Sequence, residues 1–318
     1  MFAVDYIEDL RQRFDNQFIY AEQCDLSDLY SVRRFATKYI DNSPPRRLDM
    51  VICCAGLMAP PYTARTTTKD GIEAHLGINY LAHFHLLNLL APVMKVQPAD
   101  RDVRVLLATC TSHILGELDL NDLQFLRRKY PMKAPWRSYG AAKLALMIFG
   151  VEFQRRLSAY KRPDGEAMNV RVFSIDPGLA RTPGARRWLS LGTLWGLALY
   201  LITWPVWWLV LKSSASAAQT FLTAAMSPEC AEGEGGKFLK ECKNQPYVLC
   251  YARETSMLTA LIGTADKKLP TRNLGNPSGR SLKRPFKASR RSQLRGERWK
   301  RRTTPGRSRQ TTRNKTRS

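Results

Sequence analysis

Ser138-Tyr139-Gly140-Ala141-Ala142-Lys143-Leu144-Ala145-Leu146-Met147-Ile148-Phe149-Gly150-Val151-Glu152-Phe153-Gln154-Arg155-Arg156-Leu157 reads as one long helix. Residues four apart share a helix face, so the Tyr139 phenol and the Lys143 ammonium converge on one point. A neighbouring ammonium favours phenolate and draws a tyrosine from about 10 toward the range useful for proton transfer. By itself a Tyr-x-x-x-Lys spacing is a common coincidence, a surface tyrosine and a solvated lysine on an amphipathic helix. Its company decides between the two.

Outward from that helix the chain alternates between strand and helix patterns. Residues 4–16 predict a short helix, and Gln17–Leu26 a strand ending at Cys24-Asp25-Leu26. Ser27 is a suitable N-cap for a helix running to Ile40. Pro44-Pro45 breaks the chain before Leu48-Asp-Met-Val-Ile-Cys-Cys-Ala-Gly56, an apolar run of strand length that suits burial on both faces. A long helix over Gly71–Met94 contains Asn79, and strands follow at Val103–Ala108 and Val170–Ile175. The second of these ends sharply at Asp176-Pro177-Gly178. Such alternation predicts an α/β, doubly wound parallel sheet, with ligands beyond the carboxyl ends of its strands.

The net charge of +23 is unevenly placed. Residues 267–318 hold 19 Lys/Arg against the single acid Glu297, which leaves +5 for residues 1–266. The seven cysteines (24, 53, 54, 110, 230, 242, 250) are an odd, scattered set without a C-x-x-C. They argue against a disulfide framework and for a reducing compartment. His75, His83, His85 and His113 lack partners at zinc-ligand spacing, and His83 and His85 point to different helix faces, so no metal is expected. The polar, acidic start predicts no signal peptide.

At the predicted carboxyl ends stand Cys24-Asp25-Leu26, Cys54-Ala55-Gly56, Thr109-Cys110-Thr111-Ser112 and Pro177-Gly178-Leu179-Ala180-Arg181-Thr182. Together with Asn79, Tyr139 and Lys143, in that order, this set resembles the short-chain dehydrogenase/reductase family over about residues 19–226. It is most similar to the retinol-dehydrogenase-like members and to a fungal branch linked to lipid droplets. The resemblance implies a Rossmann-like fold and a nicotinamide cofactor, NADP or NAD, with NADP favoured. It implies that Tyr139 is the catalytic acid/base, that Lys143 lowers its pKa and bonds the nicotinamide ribose, and that Asn79 kinks its helix and holds a relay water. Asp25, with the Leu26 backbone beside it, would accept from the adenine amino group. Ala55-Gly56 would admit the adenosine ribose, because Gly lacks a side chain. Pro177, Gly178 and Thr182 would bind the carboxamide and phosphates. Structural alternatives stand beside these roles: Asp25 as a turn residue, Asn79 as a mid-helix polar residue, Pro177-Gly178 as a strand stop.

The sequence departs from the family pattern in three places. No Gly-rich turn precedes Ile19, so the chain is expected to begin inside the helix before the third strand. At least one strand–helix–strand unit would then be absent, and with it the residue that separates NAD from NADP. The expectation is either an incomplete gene model or fragment, favoured because the rest keeps its catalytic residues, or a protein that has lost its cofactor grip. The family's catalytic Ser position falls on Cys110, a weaker donor; a small loop shift would bring the hydroxyl of Thr111 or Ser112 there, and Ser112 is the expected donor. Cys53-Cys54 replace the usual Asn pair, and Cys packs as a small hydrophobe.

Trp188 to Leu211 is an uncharged run of 24 residues holding five of the seven Trp, split by Pro205 and flanked by Arg186-Arg187 and Lys212. Its length would span a bilayer, but a spanning helix would strand Ser213–Met226 on the far side from Tyr139. A kinked dip into one leaflet or a lipid monolayer fits better, against the alternative of a buried core helix. The predicted organisation is a partial dehydrogenase core at 1–187, a membrane-associating insert at 188–211, the rest of the core at 212–266 and a disordered basic tail at 267–318. Such a protein would transfer hydride between nicotinamide and a lipophilic carbonyl or alcohol at the cytosolic face of the endoplasmic reticulum or a lipid droplet. The competing readings are a non-catalytic lipid-surface scaffold and, less favoured, a nucleic-acid protein led by its tail, which has only Phe286 and Trp299 to stack on bases. Substrate, reaction direction and oligomeric state are not legible.

Overall fold

Residues 2–42 and 47–245 are described by the computed structural model, so the basic tail and residues 246–266 lie outside the described residues. In chain order the elements are α1 (Phe2–Phe14), α2 (Leu29–Ile40), β1 (Met50–Cys53), α3 (Ala74–Leu76), a π-helical turn (Gly77–Leu81) and α4 (Ala82–Lys95). There follow β2 (Val103–Ala108), a 3-10 turn (Thr111–Leu115), α5 (Pro135–Ser158) and β3 (Val170–Asp176). The remainder comprises α6 (Pro183–Leu189), α7 (Leu194–Ile202), α8 (Trp204–Val210), α9 (Ser214–Met226), α10 (Pro228–Ala231), β4 (Lys237–Lys240) and β5 (Lys243–Gln245).

The strands form one sheet in the order β1-β2-β3-β4-β5, parallel except for the antiparallel β4–β5 pair. All six residues of β2 are buried, which is why the run is apolar without alternation. The two faces are nonetheless distinct. Val105, Leu107 and Val172 join Leu87, Met94, Leu146 and Phe149 of α4 and α5 on one side. Leu106, Phe173 and Ile175 pack with Ala224 of α9 and Cys230 of α10 on the other. Period-two side-chain direction thus makes a three-layer α/β Rossmann-like fold out of an unpatterned strand. Buried Arg104 ties the layers: it pairs with Asp102 at 2.6 Å and donates to the Ala224 carbonyl at 2.8 Å.

Several sequence expectations are corrected. Residues 17–26 take no strand partner among the described residues, and Phe18 and Tyr20 stay exposed; β1, whose pairing is with β2, is the edge of the sheet. The N-cap of α2 is Asp28, whose carboxylate accepts from the Tyr30 and Ser31 amides. Ser27 instead donates its hydroxyl to Asp25 Oδ1 at 2.7 Å. The long helix predicted from Gly71 begins at Ala74, capped by the Glu73 side chain, and is interrupted by the π turn at Asn79. The greasy insert is α6, α7 and α8, with Pro205 in the first turn of α8. No helix among the described residues is long and apolar enough to cross a membrane.

The 3-10 turn after β2 rests directly on α5. A Cβ built on Gly140 would lie 2.2 Å from the Ser112 carbonyl oxygen, and one on Gly116 would lie 2.4 Å from Gly140 C. Glycine is required at both positions by close backbone approach. Replacing Gly140 by Ala forces two backbones apart at the site's floor. It is expected to cost about 1–3 kcal/mol, read as a lower midpoint in urea at unchanged slope. A midpoint equal to the parent's would show that the contact yields freely.

Candidate active site

Three strand ends and one helix meet at the carboxyl edge of the sheet. α5 presents Tyr139 and Lys143 one turn apart. Lys143 is buried and donates to the Ala108 carbonyl at 2.7 Å, with Nζ 5.7 Å from the Tyr139 ring centroid. The Cys110 thiol is a close neighbour of the phenol. The expected fall in the tyrosine pKa is therefore not present. Burial, then the neighbouring Cys110 and Asp176, push Tyr139 well above its ordinary value, because desolvation penalises the phenolate. Burial also pulls Lys143 down.

The segment after β2 divides its polar groups. Cys110 Sγ and Ser112 Oγ are 2.6 Å apart, so thiol and hydroxyl form a pair with the thiol next to the phenol. Burial raises the Cys110 thiol, which keeps it a protonated, weak donor. Thr111 turns away and donates to Asp176 Oδ2 at 2.6 Å, stitching the end of β2 to the end of β3. Beyond β3, Gly178 has φ +76° and its amide donates to Asp176 Oδ1 at 2.9 Å. Pro177 is half-buried beside it. Thr182 is the N-cap of α6, its hydroxyl accepting from the Ala185 amide at 3.2 Å.

On the β1 side, Cys53 is buried, with its thiol pushed up to about 12 by burial, whereas Cys54, Ala55 and Gly56 are exposed. A Cβ on Gly56 would meet Asn79 Oδ1 at 2.9 Å and Lys143 Nζ at 3.4 Å, so Gly56, Asn79 and Lys143 share one small cradle. Asn79 is buried and clasps Leu57 with both ends of its amide, donating to the carbonyl at 2.8 Å and accepting from the amide at 2.7 Å. Asp25 is engaged from several directions. Its carboxylate accepts from the Ser27 amide at 2.9 Å and from Lys69 at 2.8 Å, and Lys69 and Ser27 hold its pKa at about 2. Leu26 is half-buried against the core.

Sequence reasoning missed a buried polar group beneath this site. Glu73 and His75 are both 1% exposed. His75 Nδ1 lies 3.0 Å from Glu73 Oε1, and the Tyr130 hydroxyl donates to the same oxygen at 3.1 Å. The His75 and Tyr139 rings meet edge-on at 6.1 Å. His83, considered only as a metal ligand, places Nε2 2.9 Å from the Ala55 carbonyl. The signal was available: His75, Asn79 and His83 stand four residues apart. No cluster of three or more metal-ligating side chains occurs among the described residues.

His83 supplies a pH test. Burial first, and Lys143 second, lower its pKa from 6.5 to about 4 despite the Ala55 bond. Between those values the unfolded chain binds more protons than the folded one, so stability is complete above about pH 6.5 and is lost as pH falls toward 4. Urea midpoints measured from pH 7.5 to 4 are expected to decline over that window, and His83→Gln, which does not titrate, is expected to flatten the decline.

No family model matches the chain. An uncharacterized oxidoreductase of Schizosaccharomyces pombe, pbr1, is 46% identical over 268 residues, covering 84% of this chain and 71% of that protein. Human retinol dehydrogenase 13 is 34% identical, covering 73% of this chain and 63% of that protein. Human polyprenol dehydrogenase is 33% identical, covering 72% and 62%. The chain therefore spans less than two thirds of either human relative. Among solved structures, an uncharacterized protein from Mycobacterium paratuberculosis aligns with a TM-score of 0.52 at 28% identity, covering 78% of this chain and 74% of that one. A 7α-hydroxysteroid dehydrogenase complexed with NADH aligns with a TM-score of 0.51 at 18% identity, over 74% and 77%, a likeness of fold. With the parallel sheet and the Tyr139–Lys143 helix at its carboxyl edge, these relatives show that the chain belongs to the short-chain dehydrogenase/reductase family of oxidoreductases.

Proposed function

We propose that this chain carries the catalytic part of an NAD(P)(H)-dependent oxidoreductase acting on a lipophilic carbonyl or alcohol, with Tyr139 as the proton donor and acceptor. One observation carries the reading: α5 packs at Gly140 onto the turn that bears the Cys110–Ser112 pair, which sets Tyr139 beside Cys110 at the same sheet edge as Gly56, Asn79 and Lys143. The missing side chain at Gly56 and the nearby Lys143 ammonium fit a ribose, and Gly178 and Thr182 stand where the carboxamide and phosphates would be held. Asp25 and Leu26 stand on the adenine side, although Asp25 would have to release Lys69 or share it. Bound nicotinamide supplies or accepts the hydride. The chain's own residues handle the proton and the oxygen: burial keeps the phenol protonated at neutral pH, the state that can donate, and the Cys110 and Ser112 pair can polarise the carbonyl oxygen.

The lipophilic substrate is argued from the insert. Trp195 is 88% exposed and Leu194 85%, with Ile202, Trp208 and Leu209 also outward. That apolar surface stands beside the site: Trp188 meets Trp136 of α5 edge-on at 6.2 Å, and Gly192 approaches Pro60. Exposed apolar patches of this kind mark contact with membranes or partners, and Arg186, Arg187 and Lys212 suit an anionic headgroup layer. We place this contact at the cytosolic face of the endoplasmic reticulum or on a lipid droplet, the polyprenol and retinol dehydrogenase names of the relatives being consistent with substrates drawn from lipid.

Tyr139→Phe is expected to lower turnover of retinaldehyde or a polyprenal by about 10²–10⁴-fold while leaving NAD(P)H binding, followed by protein fluorescence, intact. Persisting turnover would remove Tyr139 from the reaction. Absence of saturable NAD(H) or NADP(H) binding by the parent chain would instead favour the scaffold reading. For the insert, Trp195→Glu combined with Ile202→Lys should reduce co-flotation with phosphatidylcholine/phosphatidylserine vesicles by about tenfold or more, since each charge opposes apolar burial. Unchanged flotation would locate the membrane contact elsewhere.

A further inference from the structure

Three side chains on one helical face each take a backbone group from the segment that leaves β1. His83 Nε2 is 2.9 Å from the Ala55 carbonyl. Asn79 bonds both the amide and the carbonyl of Leu57. The Ala59 amide donates to His75 Nε2 at 3.1 Å. Helix positions 83, 79 and 75 therefore meet chain positions 55, 57 and 59, four residues against two, running in opposite directions. The spacing works because four helical residues rise about 6 Å and two extended residues about 6.6 Å. Four residues overshoot one α-helical turn, and the wider π turn over Gly77–Leu81, in the middle of the ladder, corrects that phase.

The partners also fix the two imidazoles. A carbonyl only accepts, so His83 carries its proton on Nε2, and its buried Nδ1 has no partner. An amide only donates, so His75 Nε2 is bare and its proton is on Nδ1, directed at Glu73 Oε1. Glu73 holds that ring from behind while also accepting from Tyr130 and from the Leu76 amide at 2.8 Å. One end of the ladder thus borders exposed Ala55-Gly56, and the other borders the Tyr139 ring.

We propose that His75 and His83 are positioning residues of opposite tautomer that, with Asn79 between them, hold Ala55–Ala59 in register, so that the Gly56 cradle and the wall beside Tyr139 are set by one helix face. The assignment of that cradle to a nucleotide rests on the function proposed above, whereas the ladder does not. The test begins with the parent chain, uniformly ¹⁵N-labelled, at pH 7.5. Long-range ¹⁵N–¹H spectra should give His75 as the Nδ1–H form and His83 as the Nε2–H form; the same tautomer at both, or an averaged ring at either, overturns the proposal. Next, Ala59 amide exchange is compared among the parent, His75→Gln and His75→Leu. The Gln amide can still accept from Ala59, so its exchange should stay within about threefold of the parent, whereas Leu should accelerate it by at least tenfold. Equal exchange in all three overturns the proposal, as does acceleration in Gln to the level of Leu.

Where the parent binds NAD(P)H, His83→Leu should raise the cofactor KM by about tenfold with a smaller change in kcat, and His83→Gln, which can donate to Ala55, should restore it. His75→Leu should lower kcat with the cofactor KM little changed. A merely structural role would move both constants together in both variants and leave Gln without rescue, and that pattern overturns the proposal. Should the parent bind no cofactor, the function reading fails while the tautomers and the Ala59 exchange still decide the ladder.

Discussion

Parallel pairing of β2 with β3 is the constraint from which the site follows. Six consecutive residue pairs, from Val103–Val170 to Ala108–Ile175, align the two strands so that both end at the same edge. What comes next in each strand is therefore forced together: Cys110, Thr111 and Ser112 from one, Asp176 and Gly178 from the other. The bond from Thr111 to Asp176 closes that edge. Because both faces of these strands are dry, the pairing cannot slip by one residue without exchanging Val172 for Phe173 between two differently shaped cores.

α5 is placed by the same packing and carries chemistry on a half-buried Tyr139 and a buried Lys143. Its small residues, Gly140 above all, let it settle onto the 3-10 turn that follows β2. The result is a phenol next to a thiol and a hydroxyl, and an ammonium directed at a strand carbonyl. Burial sets the protonation states here more than pairwise charge does. It holds Tyr139 protonated, raises Cys110, and lowers Lys143 and His83. These shifts run in the directions that desolvation dictates for acids and bases respectively.

The insert obeys a different rule. Gly192, the cap at Thr193 and Pro205 divide an uncharged run into short helices. Tyr200 faces inward while Trp195 and its neighbours face out. The run is greasy enough for a bilayer but too divided to be a single span, so hydropathy alone could not have told a crossing from a surface layer.

The sequence by itself determined the fold class, three of the four strand-end motifs and the helix bearing Tyr139 and Lys143, because these depend on local periodicity and on residues that are close along the chain. It over-read residues 17–26, where the apolar run Phe18-Ile19-Tyr20-Ala21 found no partner strand among the described residues, since pairing is a property of two segments and not of one. Ser27 was likewise set aside for Asp28, whose carboxylate reaches two amides. Only the tertiary structure decided that Lys143 serves Ala108, that Cys110 meets the phenol, and that Glu73, His75 and Tyr130 form a buried group. It alone turned His75, Asn79 and His83 from scattered polar residues into a ladder. Hydrogen bonds between segments distant along the chain leave no period in either segment, and the direction of a buried pKa shift depends on how much water the fold removes.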